Sequence, residues 1–251
     1  MLDLPPIGLG TWQTFDVPRP ELLAEFAALG GRLVDTSPMY GPAEANLGSA
    51  MGELRDRLFV ATKVWTRGRE QGVAQMEDSE RKLRTRVDLM QVHNLVDADV
   101  HLETLRAWKD EGRVRFIGVT HYTAGAHAEV AKYLRRGGID AVQLNYSVAE
   151  REAERLVLPL AQERGVAVII NRPFGEGSLL RRLHGRPLPA VANELECASW
   201  AELLLKFVLA HPAVTCAIPA TSSLDHLRQN LNAARGPRPD APQRRRILDA
   251  L

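Results

Sequence analysis

Short apolar segments alternate with helical segments along the whole chain, and this alternation is the strongest constraint on its fold. Each segment of strand type is followed by one whose apolar residues recur at helical spacing, most of them ended by glycine. The strand-type segments are 7–12, 33–35, 59–63, 89–93, 116–119, 141–144, 166–170 and 216–219. Over 251 residues without a linker or a shift in composition, this pattern predicts a single (β/α)8 barrel domain, residues 1–251. An open doubly wound sheet is the disfavoured alternative, because no glycine-rich phosphate loop opens a helix.

Three details of the helical segments and connections are also predicted. The helix around 156–164 contains Pro159, so we expect it to restart with the proline in its first turn. Residues 171–193 form a long connection rich in proline, glycine and arginine, and such loops are usually functional. Short helices at 224–234 and 243–251 are expected to end the barrel.

Composition and charge exclude several function classes. A hydrophobic content of 45% and a charged content of 25% are typical of a soluble globular protein. The formal net charge of +1 gives no field that favours nucleic acid or an anionic membrane, and the run Arg244–Arg246 is interpreted as a solvated helix face. No apolar run is long enough for a membrane span, and no signal pattern is present. We expect a monomer. The cytoplasm is the default location only, because a leader peptide that had been removed would leave no trace in this sequence.

The two cysteines, Cys197 and Cys216, lie in or beside apolar segments and lack the spacing of a metal site. Buried free thiols are the default expectation, and a disulfide is the alternative. No metal is expected.

Four polar side chains follow consecutive strands. Asp35, Lys63 and His93 end the second, third and fourth strand segments, and Tyr40 lies in the turn after Asp35. Strand carboxyl ends share one face of a barrel, so we expect one site. A tyrosine ionises near pH ~10, and an ammonium held by a carboxylate favours its anion, which makes the tyrosine a better general acid.

Each of these residues also has an ordinary structural explanation when it is considered alone. Asp35 could cap a turn, Tyr40 could pack with a wet hydroxyl, Lys63 could be a surface residue and His93 a satisfied core histidine. Their coincidence at consecutive strand ends favours the functional interpretation. A Schiff-base aldolase using Lys63 ranks last, because pairing with Asp35 would keep the lysine protonated.

Seven motifs, in this order, resemble the aldo-keto reductase superfamily from about Ile7 to Asn230: GLGTW, LVDTSPMYG, FVATKVW, DLMQVH, IGVTHY, VQLNYS and AIPATSS. The resemblance implies that the catalytic tetrad is Asp35, Tyr40, Lys63 and His93. It also implies an enzyme that reduces aldehydes and ketones with NADPH, in which the tyrosine protonates the carbonyl oxygen. A regulatory or low-activity nicotinamide-binding module of the same fold is the alternative.

The same resemblance implies a set of cofactor contacts. The nicotinamide carboxamide would be held by Thr120, His121 and Gln143. After the seventh strand, the family has an aromatic residue that stacks on the nicotinamide, followed by Ser-Pro-Leu. This chain has Asn171-Arg172-Pro173-Phe174 there, so the stacking aromatic ring is missing. Arg172 could instead contact the pyrophosphate, and Phe174 could add an apolar contact.

At the adenosine end, the resemblance implies a further set of contacts: Ser222 and Ser223 to phosphate, with Gln229 and Asn230 on the adenine side. Capping of the helix that begins at Leu224 is the alternative role of the two serines. Ala220 and His226 stand where basic residues are frequent, and Arg228 could compensate. NADPH is therefore expected, with NADH as the alternative.

The small-molecule carbonyl substrate is expected to contact Trp12 and Trp65, just beyond strand ends, and Met39, beside the tyrosine. Packing under the rim is their alternative role. The connection after His93 is short, 94–99, which predicts a comparatively open site suited to varied or bulky carbonyls.

Overall fold

Eight parallel strands form the centre of the computed structural model, which describes residues 2–251. They are β1 (Leu9–Gly10), β2 (Leu33–Asp35), β3 (Phe59–Val64), β4 (Leu89–Val92), β5 (Phe116–Thr120), β6 (Ala141–Asn145), β7 (Ala167–Asn171) and β8 (Cys216–Ala217). Neighbouring strands in the sheet follow the sequence order. Parallel bridges from Ile7 to Ala217 and from Gly10 to Ala220 join the first strand to the last. The (β/α)8 barrel predicted from the sequence is confirmed.

Two glycines allow the backbones to approach where β1 closes the barrel. A Cβ atom at Gly8 would lie 2.9 Å from the Leu33 carbonyl oxygen, and one at Gly10 would lie 2.8 Å from the Ile218 carbonyl oxygen. Both distances are shorter than a side chain tolerates. Glycine is therefore required sterically on both sides of β1, at Gly8 against β2 and at Gly10 against the segment that follows β8.

Within residues 2–251, eleven α-helices surround the strands or follow them: α1 (Pro20–Ala28), α2 (Ala43–Met51), α3 (Arg69–Leu83), α4 (Ala98–Asp110), α5 (His127–Arg136), α6 (Val157–Arg164), α7 (Ser178–Leu183), α8 (Val191–Glu194), α9 (Trp200–Leu209), α10 (Leu224–Asn232) and α11 (Ala241–Asp249). Pro159 lies in the first turn of α6, as predicted, and a 3-10 segment, Glu152–Arg155, precedes it. The long connection predicted at 171–193 instead contains α7 and α8. Among the described residues no helix is long and apolar enough to cross a membrane.

The strand residues alternate between two separate apolar regions. One cluster fills the barrel interior and includes Leu33, Phe59, Ala61 and Leu89, whereas Val34 and its equivalents on other strands pack against the helices. Since side chains two residues apart share a face, positions 35, 63 and 91 continue the interior rows toward the strand carboxyl ends. The interior therefore changes from apolar to polar at the end of the barrel where sites form.

Arg244 fixes the last helix to the barrel. Its Nη2 donates to Tyr146 Oη at 2.6 Å and to Glu154 Oε1 at 2.7 Å, and its guanidinium carbon lies 4.4 Å from the centroid of the Phe207 ring. The interpretation of 244–246 as a solvated face is therefore wrong for Arg244. Arg245 is exposed, as expected.

Both cysteines are buried free thiols, so the default expectation for Cys197 and Cys216 is confirmed. Burial raises the pKa of Cys197 to about 11, which keeps that thiol protonated at neutral pH.

Candidate active site

Lys63 and Asp35 form a buried ion pair at the carboxyl end of the barrel interior. Lys63 Nζ donates to Asp35 Oδ2 at 2.6 Å and to the Thr36 carbonyl oxygen at 2.7 Å. The lysine side chain is 0% exposed and the aspartate side chain 3% exposed. Burial acts to lower the pKa of Lys63, but Asp35 and Tyr40 outweigh it, and the net direction is upward. Lys63 is consequently an ammonium at neutral pH, which disfavours a Schiff-base role.

Two glutamines complete the hydrogen bonding of Asp35. Asp35 Oδ1 accepts from Gln91 Nε2 at 3.1 Å and from Gln143 Nε2 at 2.8 Å, and Gln143 Nε2 also lies 3.3 Å from Gln91 Oε1. We call Asp35, Lys63, Gln91 and Gln143 the polar layer. Sequence reasoning missed Gln91, although a glutamine inside an apolar strand, two residues before His93, was a usable signal.

A tight turn after β2 positions Tyr40. Its N–H donates to the Ser37 carbonyl oxygen at 3.0 Å, with Pro38 at the second turn position, where proline is favoured. The Lys63 ammonium lies 5.1 Å from the centroid of the tyrosine ring. The turn therefore brings the tyrosine next to the polar layer, as the sequence spacing predicted.

Tyr40 retains its proton at neutral pH in the free protein. Burial raises the pKa of the phenol, Lys63 lowers it and Asp35 raises it, and the net direction is upward. Lys63 therefore favours the phenolate, as expected, but burial dominates. In the free protein the hydroxyl is therefore a hydrogen-bond donor. When it gives up its proton, the neighbouring ammonium stabilises the phenolate that is left.

His93 is a neutral imidazole. Its Nδ1 lies 3.0 Å from Ser37 Oγ, and its ring stands edge-on to Tyr40 with the centroids 6.1 Å apart. Burial, with a smaller effect of Lys63, lowers the pKa of His93 to about 2. At neutral pH it can therefore orient a ligand by hydrogen bonding but carries no charge.

A cavity of about 1210 Å³ opens above these groups. The sequence-predicted residues that line it are Trp12, Asp35, Met39, Tyr40, His93, Thr120, Gln143, Asn171, Arg172, Pro173, Phe174, Gln229 and Asn230. Lys63 lies beneath its floor, in contact with Asp35. Residues from the β2 turn, the β7 connection and α10 thus share one space, although they are far apart in sequence.

Five predicted contact residues do not line this cavity: Trp65, His121, Ser222, Ser223 and Arg228. The Arg228 guanidinium pairs with Glu25 at 2.8 Å and with Asp225 at 3.2 Å. Ser223 Oγ accepts from the His226 N–H at 3.4 Å, so the serine adopts the alternative role of a helix cap.

Trp65 and His121 border the cavity rather than line it. Trp65 is 42% exposed and its ring centroid lies 6.4 Å from that of His93, at the rim. His121 Nδ1 accepts from the N–H groups of Tyr122 and Thr123 at 3.0 and 3.3 Å, so its ring hydrogen is on Nε2. Its carbonyl oxygen accepts from Asn171 Nδ2 at 3.3 Å.

Tyr122, which sequence reasoning missed, supplies an aromatic ring to the wall between β5 and β7. Its ring stacks on His121 with a centroid distance of 5.5 Å, and the Arg172 guanidinium lies 4.1 Å from its centroid. Arg172 is also held by Glu176 at 2.7 Å. The wall therefore has an aromatic surface even though Asn171 provides none.

Comparison with known proteins gives a consistent result. Residues 6–241 match the model of the aldo/keto reductase family. The methylglyoxal reductase YeaE of Escherichia coli is 30% identical over 245 residues, covering 91% of this chain and 85% of that enzyme. An aldo/keto reductase from Klebsiella pneumoniae in complex with NADP and acetate is 28% identical, with a TM-score of 0.82 over 98% of this chain and 91% of that one. An aldo-keto reductase from Bacillus halodurans, in its holo form, is 26% identical, with a TM-score of 0.79 over 97% and 91%. This chain belongs to the aldo/keto reductase family and is an oxidoreductase.

Proposed function

We propose that the protein reduces the carbonyl group of aldehydes or ketones with NADPH, and that Tyr40 is the general acid. The observation that carries the proposal is the protonated Tyr40 beside the buried Lys63–Asp35 pair at the floor of a large cavity. The names of two relatives support it, since one is a methylglyoxal reductase and the other was solved with NADP and acetate.

The residues present fit a nicotinamide dinucleotide. The cavity, about 1210 Å³, exceeds the range typical of a small-ligand site and extends from Tyr40 to Gln229 and Asn230. Asn171 lines it, and its Oδ1 is a buried acceptor with no hydrogen-bond partner among residues 2–251, which suits an amide N–H of a ligand. Thr120 and Gln143 add further polar groups on the same side.

The proposed mechanism divides the work among the four groups. When bound, the nicotinamide supplies a hydride to the carbonyl carbon. Tyr40 Oη gives its proton to the carbonyl oxygen as negative charge develops there, and the Lys63 ammonium stabilises the resulting phenolate. Asp35 holds Lys63 charged and in place. His93, being neutral, orients the carbonyl oxygen by a hydrogen bond.

NADPH is the proposed coenzyme. We expect the protein to discriminate less strongly against NADH than an enzyme with two cationic side chains on the 2′-phosphate would. Of the two positions where basic residues are frequent, Ala220 has no charge and His226 is exposed. Arg228 is already paired with two carboxylates. A charged hydrogen bond to phosphate contributes about 1.5–3 kcal/mol to binding, so the lack of cationic side chains at these positions would reduce the preference for NADPH over NADH.

The test is coenzyme titration by fluorescence followed by turnover on a panel of aldehydes and ketones. Tyr40→Phe should lose nearly all turnover, on the order of 10²-fold or more, and keep its coenzyme affinity. Tyr133→Phe, on α5 and away from the cavity, is the matched control. A Tyr40→Phe variant with most of its activity would remove Tyr40 as the acid.

A nicotinamide-binding regulatory module is the second candidate, and one observation favours it. Asn171 ends β7 at a place where an aromatic ring would stack on a nicotinamide, and an amide cannot replace that contact. Coenzyme binding without turnover on any carbonyl in the panel would support the module over the enzyme.

A further inference from the structure

We propose that Ser37 is a positioning residue that fixes His93 as the Nε2–H tautomer, so that His93 donates a hydrogen bond to the carbonyl oxygen. This assignment rests on the proposed carbonyl reduction.

The geometry around Ser37 restricts where its hydroxyl hydrogen can point. Ser37 is 0% exposed, and its Oγ lies 3.0 Å from His93 Nδ1. The Met39 N–H donates to the same oxygen at 3.4 Å. A serine hydroxyl has one hydrogen and two lone pairs, so Ser37 Oγ accepts from Met39 and retains one hydrogen to donate.

His93 Nδ1 is the acceptor for that hydrogen. Within residues 2–251 no other acceptor lies within hydrogen-bond distance of Ser37 Oγ. If Nδ1 carried a hydrogen, the Ser37 O–H would be buried without any partner, which costs the full desolvation of that donor. The arrangement with every buried group satisfied places the ring hydrogen on Nε2.

The second ring nitrogen is available to a ligand. His93 lines the cavity, and its Nε2 has no hydrogen-bond partner among the described residues. Burial lowers the pKa of the ring to about 2, so the nitrogen facing the cavity is a neutral N–H donor and not an acid. The neighbouring Lys63 ammonium further disfavours a second positive charge.

The direct test is nitrogen NMR on protein labelled with ¹⁵N-histidine. The chain has seven histidines, and the His93 signals are assigned as those missing from His93→Gln. A pyridine-like Nδ1 and a pyrrole-like Nε2 in the wild type are expected. The reverse pattern overturns the assignment. This measurement needs no turnover, so it stands even if the proposed reductase activity fails.

The kinetic test uses Ser37→Ala, which should lower kcat about 10-fold, the equivalent of one hydrogen bond, with coenzyme affinity unchanged. Ser79→Ala is the matched control, since Ser79 is a buried serine of α3 that does not line the cavity. If Ser37→Ala does not fold, Ser37→Cys retains a weak donor and should lose less than 10-fold.

A double variant separates positioning from general damage to the fold. In a His93→Ala background, Ser37→Ala should change kcat by less than about 2-fold, because the group it positions is gone. An equal loss with and without His93 would overturn the proposal. Absence of any turnover in the wild type would instead refute the proposed function and leave the NMR result to decide the tautomer.

Discussion

Lys63 Nζ and Asp35 Oδ2 lie 2.6 Å apart, and both side chains are almost completely removed from solvent. Asp35 also accepts from two glutamines, while Lys63 donates to a backbone carbonyl. The pair is therefore well hydrogen-bonded, which is the condition under which buried charges are tolerated. Loss of either charge would leave the other without compensation in the barrel interior.

Asp35→Asn should lower the free energy of unfolding by about 3 kcal/mol, because the Lys63 ammonium loses its buried counter-charge. Urea denaturation measures the change. In the double variant Asp35→Asn/Lys63→Met both charges are absent, so part of the lost stability should return. A double variant less stable than the single one would contradict this account.

His93 should make the protein less stable in mild acid. Its pKa is lowered from 6.5 to about 2 in the folded state, so below 6.5 the unfolded chain binds a proton that the native ring does not. The stability contributed by the neutral ring is therefore fully present above pH 6.5, and it is lost as the pH falls from 6.5 toward about 2. Between about pH 8 and about pH 5 the loss amounts to about 2 kcal/mol.

The check on this pH dependence is a pair of urea denaturation series, on the wild type and on His93→Gln. The variant has no proton to gain at this position, so its loss between the two pH values should be smaller by about 2 kcal/mol. Parallel losses in the two proteins would show that His93 titrates normally in the native state.

Arg244→Ala should destabilise the protein by about 2 kcal/mol, whereas Arg245→Ala should change stability by less than about 0.5 kcal/mol. Arg244 donates to Tyr146 and Glu154, and Arg245 is exposed. Thermal unfolding of the two variants gives the comparison, and equal effects would contradict the attachment of α11 through Arg244.

Tyr122→Ala should weaken coenzyme binding about 2- to 10-fold, and Tyr122→Phe should leave it nearly unchanged. The ring lines the cavity beside His121 and Arg172, so its aromatic surface, not its hydroxyl, is the contact we expect to matter. Fluorescence titration of both variants decides between a ring contact and a hydroxyl contact.

His226→Arg should tighten NADPH binding about 10-fold and leave NADH binding unchanged. His226 lines the cavity and is exposed, so a guanidinium there can reach a phosphate. NADH is the internal control, because it lacks the additional phosphate. An equal gain for both coenzymes would indicate a general effect of positive charge on the pyrophosphate.

The barrel itself was predictable because its signals are local. Strand alternation and the proline in the first turn of α6 depend on residues close together in sequence. The two short helices α7 and α8 were missed because six and four residues are too few to show a period.

Side-chain partners were less predictable, because sequence spacing indicates which face a residue occupies and not which atoms meet. Arg228 was expected to compensate for missing phosphate contacts, but it pairs with Glu25, 203 residues away. Gln91 stands out in sequence only as a polar residue within an apolar strand, and Tyr122 has no distinctive spacing, so neither pattern indicated the contact that the side chain makes.

The polar layer joins strands that are distant along the chain, since Gln143 and Asp35 are 108 residues apart and belong to β6 and β2. Contacts of such separation form only after the intervening chain has been ordered. The carboxylate that holds Lys63 is therefore fully supported only once β2, β3, β4 and β6 have all assembled. Recovery of turnover during refolding would consequently report assembly of the sheet at least from β2 to β6, and chains in which these strands have not yet paired would be catalytically silent.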